Sequence, residues 1–200
     1  MKILSKICLS MLIALFFTSA VARTPYEQHD DRGMIHASAG DFAKAKVEFE
    51  KAQKARSPNR RKGSISSFYL GIIDDAMEKR VKRKAAMHIF NGEFYKKRYK
   101  YNITIREYSK AIRLNPRYSI AYSSRAYAYF VKAQYHRAVR DYTLAIKFNP
   151  KNNAGLYIRR GKIYYKWLKK RARACADWRK ACELGWCEFH KTAKRTRTCP

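Results

Sequence analysis

The sequence predicts an all-α fold: repeated helical units stacked into a curved solenoid, with an extra linking helix and a C-terminal capping helix. Three observations carry that prediction. Two 34-residue segments, 85–118 and 119–152, abut without a gap and end alike, on REYSKAIRLNPRY and RDYTLAIKFNPKN. Within them aromatic and small residues recur three and four apart, the spacing of one helix face. Only 8 Gly and 5 Pro in 200 residues exclude a collagen-like or turn-rich all-β chain, and 46% hydrophobic residues exclude wholesale disorder.

Residues 1–22 read as a signal peptide. Lys2 and Lys6 precede an apolar run from Ile7 to Phe17, and Ala20-Val21-Ala22 gives the small-x-small end that signal peptidase cleaves. The run is shorter than the roughly 20 residues that span a bilayer. No later stretch is apolar enough to cross, so the mature chain is expected to be exported, periplasmic or secreted, and without a transmembrane segment.

Residues 23–59 hold a weak N-terminal copy of the repeat, containing RGMIHASAGDFAKAKVEFEKAQKA. Residues 60–84 form a basic, breaker-rich loop and a linking helix. That helix is expected as one piece from Phe68 to Lys84, with Ser64 or Ser66 as its cap and Tyr69, Ile72, Ile73, Ala76 and Met77 on its apolar face. The segments 85–118, 119–152 and 153–186 are three repeats, the last with one extra residue in its middle turn. Asn115-Pro116 and Asn149-Pro150 stop a helix at the same phase in successive copies, because proline disfavours helical geometry in the residue before it. Residues 187–200 form a short cap, with a helix expected over Trp186 to about Thr196.

In each copy the first helix carries a bulky residue, a small one four further on and a ring three beyond that: His29, Gly33, His36; His88, Gly92, Tyr95; Tyr122, Ala126, Tyr129; Tyr157, Gly161, Tyr164. The second helix carries small, aromatic and alanine: Ala45, Phe49, Ala52; Ala138, Tyr142, Ala145; Ala174, Trp178, Ala181. The copy at 85–118 departs once, with Thr104 before Tyr108 and Ala111, which should slightly loosen that helix contact. Small residues let two helices approach, aromatics fill the space between them, and no single unit buries the stripe alone.

These residues resemble the tetratricopeptide repeat (TPR) family, in the exported bacterial form with a cysteine-containing C-terminal end. The resemblance covers about 135 residues and implies helical hairpins stacked into a right-handed superhelical solenoid, and binding rather than catalysis. It implies a protein or peptide partner on the concave face lined by first helices. The inward positions are then Phe90 and Lys96, Ser124, Tyr127 and Phe130, and Arg159, Lys162 and Tyr165. Aromatics beside Arg and Lys suit an acidic or aromatic-bearing chain. Chaperone-binding members hold a C-terminal carboxylate with paired Asn and Lys; here only Arg159 has a counterpart, so that role is not expected.

Four cysteines remain after the leader: Cys175, Cys182, Cys187 and Cys199. In an oxidising compartment they read as two disulfides, with three connectivities open. The turn at Leu184-Gly185-Trp186 favours Cys182–Cys187 with Cys175–Cys199. A zinc site from Cys182, Cys187, His190 and Cys199 has poor spacing, and no C-x-x-C is present.

Charge is lopsided. Residues 23–78 hold 10 basic and 9 acidic side chains, whereas residues 79–200 hold 33 and 6. That excess raises an alternative function: a polyanion- or envelope-binding protein working through its basic C-terminal two-thirds, on anionic envelope polymer or lipid head groups. Export makes nucleic acid a poor fit. Catalysis is not expected. The sequence has no metalloprotease, nucleophile-elbow or phosphate-loop motif, and His29, His36 and His88 occupy packing positions. No cofactor or metal is implied.

Overall fold

The structure, a computed structural model, describes residues 24–55, 65–149 and 153–199. The expected signal peptide, the loop residue Ser64 and Pro150 lie outside them. Among the described residues there are ten helices and no strand. They are α1 (Pro25–Ser38), α2 (Phe42–Lys54), α3 (Ile65–Met77), α4 (Arg83–Lys97), α5 (Tyr101–Leu114), α6 (Ser119–Val131), α7 (Tyr135–Phe148), α8 (Ala154–Lys166), α9 (Arg171–Glu183) and α10 (Glu188–Arg195). Four hairpins, α1·α2, α4·α5, α6·α7 and α8·α9, stack in chain order. The linking helix α3 packs against α2 and α4, and α10 closes the stack on α9.

Local chemistry sets the helix ends. At α1 the Thr24 hydroxyl accepts from the Glu27 amide, the Glu27 carboxylate accepts from the Thr24 amide, and Pro25 occupies the first turn, where its missing N–H costs nothing. Asp41 caps α2 by accepting from the Lys44 amide. Asn115 and Asn149 end α5 and α7 with φ of −138°, as the Asn-Pro pairs predict. Within every hairpin the turn residue two before the second helix is left-handed: Gly40 (φ 85°), Tyr99 (59°), Ala133 (56°) and Lys169 (54°).

Each hairpin closes around its small–aromatic pair. A Cβ added at Gly33 would lie 2.7 Å from the Phe49 ring, at Gly92 2.3 Å from Tyr108, and at Gly161 2.6 Å from Trp178. Helix backbones therefore rest directly on the aromatic faces. Thr104 is fully buried in the corresponding contact. Its hydroxyl donates to the Lys100 carbonyl at 3.1 Å and lies 3.5 Å from the Gly92 carbonyl, so it fills the contact with a polar link.

A carboxylate precedes each second-helix aromatic and crosses to the first helix. Glu48 accepts from His29 Nδ1 (2.8 Å) and Glu107 from His88 Nδ1 (2.7 Å). The shorter Asp141 and Asp177 are instead clasped by Arg125 and Arg160. Each arginine also reaches back one repeat, Arg125 to Ser109 (2.9 Å) and Arg160 to Thr143 (2.8 Å), tying neighbouring hairpins together.

Two expectations need correction. The linking helix ends at Met77, not Lys84: Lys79 adopts a φ of 58° and α4 begins at Arg83. Ser66 is no cap but lies inside α3, fully buried. Tyr69, Ile72, Ile73 and Ala76 do face the core, while Met77 is exposed. Through them α3 fills the place where α2 would otherwise meet the next repeat directly. Tyr69 lies 5.0 Å from Phe49 and 5.7 Å from Phe90, ring to ring.

Candidate functional site: the concave aromatic groove

A groove of about 490 Å³ opens between α6, α8 and the start of α10, with Tyr142 of α7 in its floor. Tyr127 and Phe130 project from α6 and Arg159 and Lys162 from α8; each of these four predicted positions lines it. Each pair is three residues apart, which puts it on one side of its own helix.

The groove is held open by rings. Trp167, at the C-terminal end of α8, stacks on Tyr135 at 5.4 Å and meets Phe130 edge-on at 4.9 Å. The Lys162 ammonium lies 4.4 Å over the Phe189 ring, pinning the cap helix to α8. Burial pushes the Tyr142 hydroxyl up to about 12, with the Arg159 guanidinium beside it partly offsetting the effect. Tyr142 is thus a neutral donor in the floor at any ordinary pH, beneath a rim of Arg159, Lys162 and Lys166. Such a site offers apolar ring faces for side chains and cations for carboxylates.

The other predicted positions fall elsewhere. Lys96 sits beside the groove, 5.8 Å over the Tyr127 ring and hydrogen-bonded to the buried Glu93. Ser124 is buried. Tyr165 is half-exposed and edge-on to Trp178 at 5.6 Å, outside the groove lining. Phe90 is not on the open face: it is fully buried among Phe42, Phe49 and Tyr69. The inserted α3 and the N-terminal hairpin cover that side of α4.

Sequence reasoning missed Trp167, Trp186 and Phe189 as lining residues. A signal for the last was present. Phe189 and Ala193 repeat the bulky-then-small spacing of a first helix, so α10 behaves as one more first helix and walls the groove.

Cys175 is paired with Cys199 and Cys182 with Cys187. The zinc alternative therefore lacks its three sulfurs. Among the described residues no helix is long and apolar enough to cross a membrane.

No family model matches the chain, and no curated protein does. Solved structures do. The first TPR of Spaghetti (RPAP3), bound to the HSP90 peptide SRMEEVD, is 28% identical over 58% of this chain and 90% of its own, with a TM-score of 0.52. The Arabidopsis OM64 TPR domain is 27% identical over 56% of this chain and 93% of its own, with a TM-score of 0.51.

The chain has the tetratricopeptide-repeat fold.

The TPR2AB domain of yeast Sti1, in complex with pHSP90, shares the fold over 86% of this chain and 66% of its own, at 19% identity and a TM-score of 0.50. In this solenoid the groove lies across the last two complete hairpins and the cap.

Proposed function

We propose that the chain is an exported, non-catalytic TPR adaptor whose concave groove takes an acidic, aromatic-bearing peptide segment of a partner protein. The observation that carries this reading is the convergence of Tyr127, Phe130, Trp167, Arg159 and Lys162 on one groove. Rings supply the apolar contact, and the cations select carboxylates. The RPAP3 relative supports it, since its bound peptide, SRMEEVD, has three acidic side chains. Export is supported by the leader-like residues 1–22 and by two cystine pairs, the chemistry of an oxidising compartment.

The reading is tested by capture. The protein is expressed in its native cell, crosslinked and purified at low salt, and half the sample is washed at about 0.5 M salt, where screening falls to a few ångströms. A discrete polypeptide should persist through that wash and be lost from an Arg159→Glu, Lys162→Glu variant. Recovery of only anionic polymer or lipid, released by salt, would overturn it.

A further inference from the structure

The six acidic residues of the segment 79–200 are unevenly placed. Glu93, Glu107, Asp141 and Asp177 are buried and bonded within the repeats. Only Glu183 and Glu188 are exposed, and Glu183 is paired with Lys180. The surface of this segment therefore carries almost no carboxylate, because four of its six are buried within the repeats.

One concavity of that surface, away from the peptide groove, is lined mainly by cations. A pocket of about 750 Å³ lies between α9, α10 and the tail that follows α10. Arg171 and Arg179 enter from α9, His190 and Lys194 from α10, and Arg197 from the tail. Its floor is Ala172, Ala176 and the Cys175–Cys199 disulfide. Among the described residues no carboxylate lines it, and none forms an ion pair with Arg171, Arg179, Lys194 or Arg197. Helix α10 separates it from the aromatic groove: Phe189 faces that groove, while His190 and Lys194 face this pocket.

Four unneutralised cations around one concavity repel one another, a cost that folding alone does not require. Arg171 and Arg179 are eight residues apart on one helix, about 12 Å along its axis. A single small anion cannot span them; a ligand with several linked oxyanion groups can. We infer that this pocket is a binding site for a multivalent oxyanion, a chain bearing repeated phosphate or sulfate groups, and that it is separate from the peptide groove.

The disulfide makes the site conditional. Arg171 donates to the carbonyls of Arg197 and Thr198, and the Cys175–Cys199 bond fixes the same tail to α9. Opening that bond frees Arg197 from the pocket wall.

The test uses the full oxidised chain and calorimetric titration at low salt. The probes are inorganic tripolyphosphate, a sulfated hexasaccharide and inorganic phosphate. One saturable site is expected for either or both multivalent probes, and the tighter of the two identifies the source of the oxyanions; inorganic phosphate should bind at least tenfold more weakly. Arg179→Glu with Lys194→Glu, both at exposed positions, should weaken the multivalent probe at least tenfold. Lys82→Glu with Lys84→Glu, the same charge change on an exposed surface far from the pocket, should weaken it less than threefold. Cys199→Ser should weaken it severalfold, with helix content by circular dichroism confirming a folded chain. No saturable binding, equal losses in the two charge-reversal variants, or phosphate binding as tightly as tripolyphosphate overturns the inference. Retained peptide capture alongside any of these results leaves the groove reading standing.

Discussion

Arg125 donates two hydrogen bonds to Asp141, at 2.7 and 2.9 Å, and a third to Ser109 of the preceding repeat at 2.9 Å. One guanidinium thus closes its own hairpin and fastens it to the previous one. The bidentate fork is what arginine provides and lysine cannot. Truncation to Ala leaves the Asp141 carboxylate buried and unpaired. We expect Arg125→Ala to cost about 3–5 kcal/mol in urea unfolding. The double variant Arg125→Met, Asp141→Leu should cost clearly less than Arg125→Ala alone. Equal losses would show that the pair is not coupled.

Two glycines should respond with opposite signs. At Gly92 an added methyl would stand 2.3 Å from Tyr108, whose hydroxyl is held by Glu93 at 2.6 Å. Gly92→Ala is expected to destabilise by about 1–3 kcal/mol despite the better helix propensity of alanine. Gly71, in α3, has no atom within 4 Å of an added Cβ. Gly71→Ala should stabilise by up to about 1 kcal/mol. Thermal denaturation of both variants decides.

The left-handed turn residues offer a further gain. Ala133 and Lys169 hold φ of 56° and 54°, a region that L side chains occupy at a cost of about 1–2 kcal/mol. Gly40 already occupies the equivalent place in the first hairpin. Ala133→Gly and Lys169→Gly should each raise stability by about 0.5–1 kcal/mol, read as an increase in melting temperature. A fall in both would contradict the shared turn geometry.

Acid should loosen the hairpins. At Glu107 burial alone would raise the carboxyl, but hydrogen bonds from Lys110 and His88 outweigh it and hold it below the ordinary value. Glu48 is lowered by the bonds from His29 and Lys51. A carboxyl lowered on folding contributes stability that is complete above its unfolded value, near 4.5, and is lost as pH falls through the folded value. Stability measured from pH 6 downward should begin to drop below about 5, and Glu107→Gln should reduce the size of that drop. An unchanged profile in the variant would remove Glu107 from the account.

The Cys175–Cys199 bond spans 24 residues and holds the tail beyond α10 against α9. In the chain-entropy description a loop of that length contributes about 3–4 kcal/mol. Mild reductant should therefore expose α10 and its tail to protease while hairpins 83–148 stay intact. Uniform cleavage along the chain would show instead that the cap is integral to the whole stack.

Much of this molecule was legible in its residues. Gly92 and Tyr108 announced a close helix contact through size alone, and Asn115-Pro116 announced a helix end through backbone geometry. Such features act locally, so their spacing suffices. Phe90 was misplaced because its exposure depends on α3, which is inserted between repeats and has no counterpart in the 34-residue pattern. The acid before each second-helix aromatic recurs as Glu48, Glu107, Asp141 and Asp177, yet its partner changes from His to Arg with the length of the acid. Only three-dimensional contact shows which cation it takes. Trp167 and Trp186 joined the groove for a related reason: both lie in turns, outside the periodic helix faces.

The central claim, that the groove between α6, α8 and α10 receives a peptide, is tested most directly by site-specific photocrosslinking in the native cell. A photoreactive residue is placed at Phe130 in the groove and, as control, at the exposed Phe68 of α3, and irradiation is done in about 0.5 M salt. The account predicts a discrete polypeptide adduct from position 130, none from position 68, and loss of the adduct on Arg159→Glu with Lys162→Glu. No adduct at position 130, or the same adducts from both positions, would contradict it.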